Sequence, residues 1–587
     1  MPDDVTTIPS ELTIPTCDTS LIRFGLYDGF YNQNITYEYD KVGNVLEMTD
    51  WACTITNAYD ALNRKITEYT DNQNLDYAFY YDYDLLNNRT NMELIASDDG
   101  LTNSYSYDNL NRLSSLECKS FKTVSTTFAY NPNGKISGIT NAASIYRDFS
   151  YDSEQRLSGI SADYSGSTRL GLSYTYNHAQ QITEIDETLY GTPHTYEYDY
   201  DNRDQLESED CESILTSYAY DNAQNRVSKD PDNDPTETYS YVIANKLTNI
   251  LIGSSSANNQ YFYDIAGNLT SNVTNGKINK YYYNAQNKLV EIFITDLILG
   301  PAFNSTILFK YDSLNRRIAI VKVPGTSVLR NWQYTIHDGS IPIGRTDSSG
   351  NITKIFVRGI GIAEGTGDVL AEIDSSGNAH YYLPNHRGDT LLVLDEDGDI
   401  ESQIRYDAFG NVKEETGTFS PTYTFSTKEY MSKGYMFNAK LYLYAYRVYD
   451  PIAGRWTQRD PIDYQDSINL YQFCGNNPVN GWDPFGLETR THPLLEENPD
   501  DYEGFPEAQD TLREIQDGVI DEHNDSCDEL NKKLKVIKAI PDIVKKAYDA
   551  SVDFLIDTFT DSLKTEKKEP QKQEESNEEE SKKNKND

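Results

Sequence analysis

The seven residues YDNLNRL at positions 107–113 recur with small changes along most of the chain. Close variants are YDALNR at 59–64, YDIAGNL at 263–269 and YDSLNR at 311–316. Thirteen copies follow one another at intervals of 20 to 28 residues, and they begin at Tyr39, Tyr59, Tyr83, Tyr107, Tyr130, Tyr151, Tyr176, Tyr200, Tyr220, Tyr241, Tyr263, Tyr283 and Tyr311. A recurrent period of this length indicates a repeat architecture and not a string of unrelated domains.

Each repeat has the residues of a β-hairpin. A tyrosine two places before the Tyr-Asp pair, as at Tyr37 and Tyr39, puts two rings on one face of a strand because side chains alternate with period two. The Asp or Asn that follows starts a turn, and the Gly or Asn four places after the tyrosine tolerates a positive φ. An apolar residue then begins the returning strand. A unit of about 22 residues therefore holds two strands of about 7 to 8 residues.

A single hairpin cannot bury its own apolar face, so neighbouring hairpins must join edge to edge. Helical periodicity is absent from residues 35–486. We therefore predict an all-β protein built on a large, spiralling antiparallel sheet. An open β-solenoid or an adhesive stalk made from the same hairpins is the alternative architecture.

The composition agrees with a thin β-sheet wall whose faces are solvated. Tyrosine occurs 47 times, the apolar fraction is 37% and the mean hydropathy is -0.66. A tyrosine ring covers apolar surface while its hydroxyl stays hydrogen-bonded or wet. The formal net charge of -42 should repel nucleic-acid phosphates and anionic lipid headgroups, so we expect no nucleic-acid partner.

The cysteine and histidine patterns predict neither a disulfide scaffold, nor a metal site, nor a bound cofactor. Six cysteines are scattered without a CxxC pair, and seven histidines show no paired spacing. No run of 18 apolar residues occurs, so we expect no membrane span. The first residues, MPDDVTTIPSELTIP, lack the basic start and apolar stretch of a signal peptide. We interpret residues 1–34 as the start of a fragment of a longer secreted product; export through a signal of another kind is the alternative.

A second pattern begins near residue 375. It consists of HYYLPNHRGDT at 380–390, RYDAFGN at 405–411, LYLYAYRVYDPIAGRWTQRDPI at 441–462, NLYQFCGNNPV at 469–479 and DPFGL at 483–487. Because no second histidine or acid lies at a useful spacing from His386, we interpret this residue as packed or capping and not as catalytic.

Together these residues resemble the rearrangement-hotspot (RHS), or YD-repeat, family, whose signature is YDxxGN followed by an apolar residue. That family includes polymorphic toxins and toxin-complex C proteins, and its repeat type is shared with wall-associated and teneurin-type proteins. The resemblance covers about residues 35–487. The block at 441–487 is similar to the family's core consensus, ARYYDPxxGRFxSxDP … NxYxYxxNNPxxxxDPxGL, with Ala445-Tyr446 in place of Gly-Ala and Trp456 in place of Phe. The resemblance implies a hollow, cocoon-like β shell that encloses a C-terminal cargo.

In family members that release their cargo, the core is a single-turnover aspartyl protease that cuts after the leucine of DPxGL. By position, the resemblance implies Asp460 and Asp483 as the catalytic carboxylates, Arg447 as a supporting charge, and Leu487-Glu488 as the cleaved bond. Amide hydrolysis can use one carboxylate as a base for water and one protonated acid at the carbonyl, and two close carboxylates split their pKa values. The alternative is that the Asp-Pro pairs are turns of a core that plugs the sheet and never cuts.

The composition changes abruptly after Leu487. Residues 488–587 hold 28 acidic and 15 basic residues, and the repeats stop. The sequence predicts helices at 506–523 and 542–563 and a disordered charged segment at 564–587. His492, Glu496 and Glu497 lie together, and chance proximity in a loop is the better interpretation of this group. No motif in the extension identifies an activity.

We thus predict an N-terminal segment (1–34), a hairpin array (35–374), a core (375–487), a helical extension (488–563) and a disordered tail (564–587). Two functions compete. The first is a secreted bacterial shell that encapsulates and releases its own C-terminal extension, with an immunity protein as a further partner. The second is a cell-surface adhesion protein that binds glycans or proteins and whose core does not cut. A multiple-turnover hydrolase fits worst, because the repeats carry no unique polar cluster.

Overall fold

A computed structural model describes most of the chain up to Thr491. The described residues are 10–12, 35–72, 75–96, 99–253, 258–274, 277–297, 300, 304–324, 331–359, 369–431 and 439–491. The predictions for the helical extension, for the disordered tail, for His492, Glu496 and Glu497 and for most of residues 1–34 lie outside them.

Among the described residues, 35 strands form one antiparallel sheet in which each strand pairs with its neighbour in sequence. We number these strands β1 to β35 in chain order. They are Ser10–Leu12, Ile35–Tyr39, Val45–Thr49, Thr54–Tyr59, Lys65–Asp71, Asp76–Tyr83, Arg89–Ala96, Asp99–Tyr107, Leu113–Lys119, Thr123–Tyr130, Ile136–Asn141, Tyr146–Tyr151, Leu157–Tyr164, Ser167–Tyr176, Ile182–Leu189, Thr192–Tyr200, Leu206–Cys211, Ile214–Tyr220, Arg226–Pro231, Glu237–Val242, Lys246–Ile252, Asn258–Tyr263, Leu269–Thr274, Lys277–Tyr283, Leu289–Asp296, Ser305–Tyr311, Arg317–Pro324, Gln333–Asp338, Ile341–Thr346, Ile352–Arg358, Val369–Asp374, Ala379–Pro384, Thr390–Leu394, Ile400–Tyr406 and Val412–Gly417. The predicted all-β class and long antiparallel sheet are confirmed.

The Tyr-Asp pair ends one strand and starts the turn to the next, as the repeat predicts. In the repeat at Tyr59, the Asp60 carboxylate accepts hydrogen bonds from the backbone N–H of Leu62 (2.8 Å) and of Arg64 (3.0 Å), and from the Arg64 guanidinium (2.7 Å). Asn63, four places after the tyrosine, has φ 60°. The residue at this position has a positive φ in all thirteen repeats, which confirms the predicted turn. Gly and Asn recur there because they enter the left-handed region at low cost.

The tyrosine hydroxyl joins each hairpin to the one before it. The Tyr83 hydroxyl donates to the carbonyl of Lys65 (2.8 Å), which is the first residue of the return strand in the preceding hairpin. Eleven of the thirteen repeats make the same bond, with oxygen–oxygen distances of 2.5 to 3.1 Å. The repeat tyrosine therefore fixes the spacing of neighbouring hairpins as well as covering apolar surface.

The sheet winds so that strands distant in sequence come into contact. Asp338 in β28 accepts a hydrogen bond from the Tyr81 hydroxyl (3.1 Å) and forms a salt bridge with Arg89 (2.7 Å). Further along, the Arg405 guanidinium in β34 donates to the Tyr196 hydroxyl in β16 (3.0 Å). These contacts cover faces that an isolated flat sheet would leave in water.

The later strands are covered on both faces. Along β6 buried and exposed side chains alternate, whereas all six residues of β32, Ala379–Pro384, are buried. The main sheet also continues through Gly417. Residues 379–417, which the sequence assigned to the core, thus form four more strands of this sheet.

The chain between Gly417 and Thr491 contains short elements. Four strands, β36 to β39, form a small sheet, and β40 and β41 pair with each other. Their bounds are Glu429–Tyr430, Tyr442–Leu443, Val448–Asp450, Arg455–Trp456, Gly481–Trp482 and Arg490–Thr491, and three 3-10 helices span Phe425–Thr427, Asp463–Gln465 and Cys474–Asn476. No α-helix occurs in the described residues, and no helix there is long and apolar enough to span a bilayer.

We expect loss of one tyrosine hydroxyl to weaken the sheet measurably. The buried Tyr311 hydroxyl donates to the carbonyl of Leu289 (2.9 Å), and Tyr311→Phe removes that donor. The free energy of unfolding, measured by urea denaturation, should fall by about 1 kcal/mol.

Tyr190→Phe is the matched control, because the Tyr190 ring is 52% exposed. This change should stay within about 0.5 kcal/mol. Equal losses in both variants would contradict a structural role for the repeated hydroxyl bond.

Candidate functional site

The segment from residue 439 to 487, here called the core block, is held on the turns of the repeats. Its side chains bond to three successive repeat turns: Asn469 Nδ2 to Asn225 Oδ1 (2.9 Å), Arg455 Nη2 to the carbonyl of Asn245 (2.6 Å) and the Tyr471 hydroxyl to the carbonyl of Gly267 (2.7 Å). Three consecutive turns therefore each supply an acceptor to the core block.

Aromatic rings fill the centre of the core block. Trp456 is fully buried and contacts Tyr444, Tyr449 and Phe473 at ring-centroid distances of 4.8, 5.6 and 5.4 Å. The Arg447 guanidinium lies over the Trp456 ring at 4.2 Å. This apolar surround excludes water from the charged groups beside it and strengthens their interactions.

Arg447 is the centre of the candidate site. Its Nη1 lies 2.8 Å from Asp460 Oδ2, and its Nη2 lies 3.2 Å from Asp483 Oδ2. Nη2 also donates to the carbonyl oxygen of Leu487 (3.2 Å), and Nε donates to the carbonyl of Gly486 (2.7 Å). One guanidinium therefore contacts both predicted carboxylates and the carbonyl of the predicted cleaved bond.

Asp483 organises the backbone that leads to this bond. Its Oδ1 accepts from the N–H groups of Phe485 (3.2 Å), Gly486 (2.6 Å) and Leu487 (3.0 Å). Gly486 has φ 83°, and a Cβ at this position would lie 3.2 Å from the backbone nitrogen of Arg447. The glycine of DPFGL is thus required both by its conformation and by the close approach of Arg447.

Both carboxyl groups bind protons more tightly than usual. Burial raises the pKa of Asp460 to about 7, against the opposing effect of Arg447. Burial also raises the pKa of Asp483, although Arg447 and the three N–H donors favour its ionised form. An aspartate with a pKa near neutrality can exchange a proton with water or substrate at physiological pH.

The Leu487-Glu488 bond lies in the loop of a short hairpin. Trp482 in β40 pairs with Arg490 in β41, and residues 483–489 form the loop between them. Leu487 is half-buried and Glu488 is exposed. The carbonyl of the bond is therefore held by Arg447, and the residue that follows the bond is exposed to solvent.

This geometry can polarise one peptide carbonyl beside two carboxyl groups. A guanidinium that already donates to the Leu487 carbonyl would stabilise negative charge on that oxygen during attack by water. The sequence led us to expect a protonated acid at this carbonyl, whereas in the structure Arg447 contacts it. Among the described residues, no three His, Cys, Asp or Glu side chains lie close enough to hold a metal ion.

The structure also places the other residues that the sequence singled out. His386 is fully buried, and its Nε2 lies 2.9 Å from the carbonyl of Val479, as expected for a packed residue. The four described cysteines, Cys53, Cys118, Cys211 and Cys474, are free thiols.

Two polar residues near the site were not predicted. Burial lowers the pKa of Lys428 to about 7, and the Asp483 charge acts on it in the opposite direction. Asp466 contacts Thr489 on the far side of the predicted cleaved bond. Neither residue belongs to the repeat or to the core consensus, so no sequence signal marked them.

Comparison with known proteins gives the same family as the repeats. A family model described as the teneurin YD-shell matches residues 141–479, which is more than half of the chain. A tRNA3(Ser)-specific nuclease WapA of Bacillus spizizenii is 27% identical over 403 residues, and teneurin-3 of Mus musculus is 24% identical over 422 residues.

These relatives are much longer than this chain. The WapA match covers 66% of this chain and 16% of that protein, and the teneurin-3 match covers 65% and 14%. Among solved structures, the TcdB2-TccC3-Cdc42 crystal structure aligns with 78% of this chain and 28% of its own, at 17% identity and a TM-score of 0.39. Because the family model spans most of the hairpin array and most of the core block, the chain belongs to the teneurin YD-shell family of RHS/YD-repeat proteins.

Proposed function

We propose that this RHS-type shell protein cuts its own chain once, between Leu487 and Glu488, and releases the 100-residue extension that follows. The observation that supports this proposal best is the 3.2 Å hydrogen bond from Arg447 to the Leu487 carbonyl, made by a guanidinium that also contacts Asp460 and Asp483. Released outside the producing cell, the extension would act on a competing cell or a host.

Asp460 is the better candidate for the general base. Its side chain is 4% exposed against 2% for Asp483, and its pKa is raised to about 7, so it can take a proton near neutral pH. Ionised Asp460 takes a proton from water, the resulting hydroxide attacks the Leu487 carbonyl carbon, and Arg447 stabilises the oxyanion. The proton then passes to the Glu488 nitrogen as the C–N bond breaks. The products are a carboxylic acid at Leu487, which loses its proton to water, and a free amine at Glu488.

Asp483 contributes mainly by holding the substrate. Its three N–H contacts fix residues 485–487 with the carbonyl of Leu487 directed at Arg447. Because the substrate is part of the same chain, no binding step is needed and the effective concentration of the bond is high. A single turnover is sufficient, so the site needs no open cleft.

Replacing the base should stop cleavage. In the wild-type chain, denaturing gels should show a separate fragment of 100 residues, and mass spectrometry should place its first residue at Glu488. In Asp460→Asn, which keeps the shape of the side chain, cleavage should slow by about 100-fold or more.

Asp463→Asn is the matched control, because Asp463 lies in the same loop with its side chain 58% exposed. This variant should cut as the wild type does. An intact wild-type chain under all conditions, or cleavage of Asp460→Asn at the wild-type rate, would refute self-cleavage by this site.

The cleavage rate should depend on pH through Asp460. A general base must be ionised, and burial raises the pKa of Asp460 to about 7. The rate should therefore rise about tenfold per pH unit below pH 7 and level off above it. Quenched time courses of newly synthesised chain between pH 5.5 and 8.5 would measure this. A rate that falls as the pH rises would show that Asp460 acts as an acid instead.

The cargo role of the extension is a separate part of the proposal. If residues 488–587 are a toxin, producing them inside bacteria should arrest growth, whereas the full chain with Asp460→Asn should not. The net charge of this segment is -13, which is unlike that of a protein that must approach a polyanion. Normal growth of bacteria that produce the free extension would refute the toxin interpretation but would not contradict the proposed cleavage.

A surface feature favours the adhesion alternative. Tyr69 and Tyr80 are 40% and 45% exposed, and they lie diagonally across the paired strands β5 and β6. Neighbouring exposed rings of this kind can stack on sugars. Glycan-array binding that is lost in a Tyr69→Ala, Tyr80→Ala double variant, with no cleavage of the wild type, would favour adhesion.

A further inference from the structure

One loop of the core block contacts the chain on both sides of the Leu487-Glu488 bond. The backbone N–H of Asp460 donates to the carbonyl of Leu470 (3.0 Å), which closes a loop over residues 460–470. Asp460, at the start of this loop, forms the salt bridge with Arg447. Asp466, in the middle of the loop, reaches the residues that follow the bond.

Asp466 holds Thr489 through two hydrogen bonds. The backbone N–H of Thr489 donates to Asp466 Oδ1 (3.0 Å), and the Thr489 hydroxyl donates to Asp466 Oδ2 (3.2 Å). Thr489 is the second residue after the bond and directly precedes β41. Both Asp466 and Thr489 are half-buried, so water competes only in part for these contacts.

We propose that Asp466 is a positioning residue for the cleavage and that it selects a hydroxyl-bearing residue, threonine or serine, at position 489. This inference rests on the proposed self-cleavage. The leucine side of the bond is held by Arg447 and Asp483, and Asp466 supplies the corresponding hold on the glutamate side. With both ends fixed, the peptide group loses freedom to rotate away from the attacking water.

The two contacts differ in what they can select. Any residue except proline supplies the backbone N–H, so that bond fixes position without regard to the side chain. The hydroxyl bond distinguishes side chains, because valine has the shape of threonine without the donor. A carboxylate oxygen that loses its donor in a half-buried site is poorly satisfied, so valine should be disfavoured.

Asp466 also acts on Asp460 through its charge. Burial is the main cause of the raised pKa of Asp460, and the negative charges of Asp483 and Asp466 add to it. Removing the Asp466 charge should therefore lower the pKa of Asp460, whereas changing Thr489 should not. This difference separates a role in positioning from a general loss of structure.

The test compares four full-length variants with the wild type: Thr489→Ser, Thr489→Val, Asp466→Asn and the double variant with Thr489→Val and Asp466→Asn. Each chain is made by pulsed cell-free synthesis, and its cleavage is followed on denaturing gels between pH 5.5 and 8.5. We expect Thr489→Val and Asp466→Asn each to slow cleavage by about tenfold, as loss of a hydrogen bond to a charged group implies.

Thr489→Ser should restore the wild-type rate to within about threefold, because it keeps the donor. The double variant should be no slower than the slower single variant, since both changes remove the same contact. The pH midpoint should move to lower pH in Asp466→Asn and stay unchanged in Thr489→Val. Resistance of the sheet to trypsin reports whether each variant has folded.

The outcomes separate this inference from the proposal beneath it. If the wild type cuts, and the Thr489→Val and Asp466→Asn variants fold and cut as fast as the wild type, the role of Asp466 is refuted and self-cleavage stands. If Thr489→Ser is as slow as Thr489→Val, selection of a hydroxyl is refuted. An uncut wild type refutes self-cleavage and the role of Asp466 together.

Discussion

A tyrosine hydroxyl bonded to a backbone carbonyl joins each hairpin of the sheet to the hairpin before it. The bond recurs in eleven repeats, always to the first residue of the preceding return strand. Burying a tyrosine hydroxyl without a partner is costly, and this bond supplies the partner for the repeat tyrosine. The bond adds to the backbone pairing of the same two strands, and the turns that follow these strands hold the core block.

The core block uses the turns as a row of anchors. Asn469, Arg455 and Tyr471 each reach a different repeat turn, so the block is tied to the sheet at several points. Rigid attachment matters for a site that must hold one peptide bond against a guanidinium. A loosely packed block would let water reach Arg447 and Asp483, and their interactions with the chain would weaken.

The buried charges of the core block give it chemistry that the repeats lack. In most repeat turns, the aspartate is only half-buried and bonds to local N–H groups; Asp60 is an example, with its pKa lowered by Arg64. Asp460 and Asp483 occupy similar turns but are buried, and burial raises their pKa values. The same local motif therefore has a higher proton affinity in the core block than at Asp60, because burial disfavours the ionised carboxylate.

The periodic tyrosine, the turn aspartate and the residue with positive φ are local features, so the sequence alone determined the hairpins and their antiparallel order. The likeness of the core motif to the family consensus also implied that Arg447, Asp460 and Asp483 lie at the Leu487-Glu488 bond. Local physical rules alone did not predict this arrangement. Tertiary structure decided what local rules cannot reach: the extension of the sheet to Gly417, the burial that raises the pKa of Asp460, and the contact of Asp466 with Thr489. These features depend on which distant strands and loops meet, and a pattern with a period of about 22 residues carries no information on contacts between unlike segments.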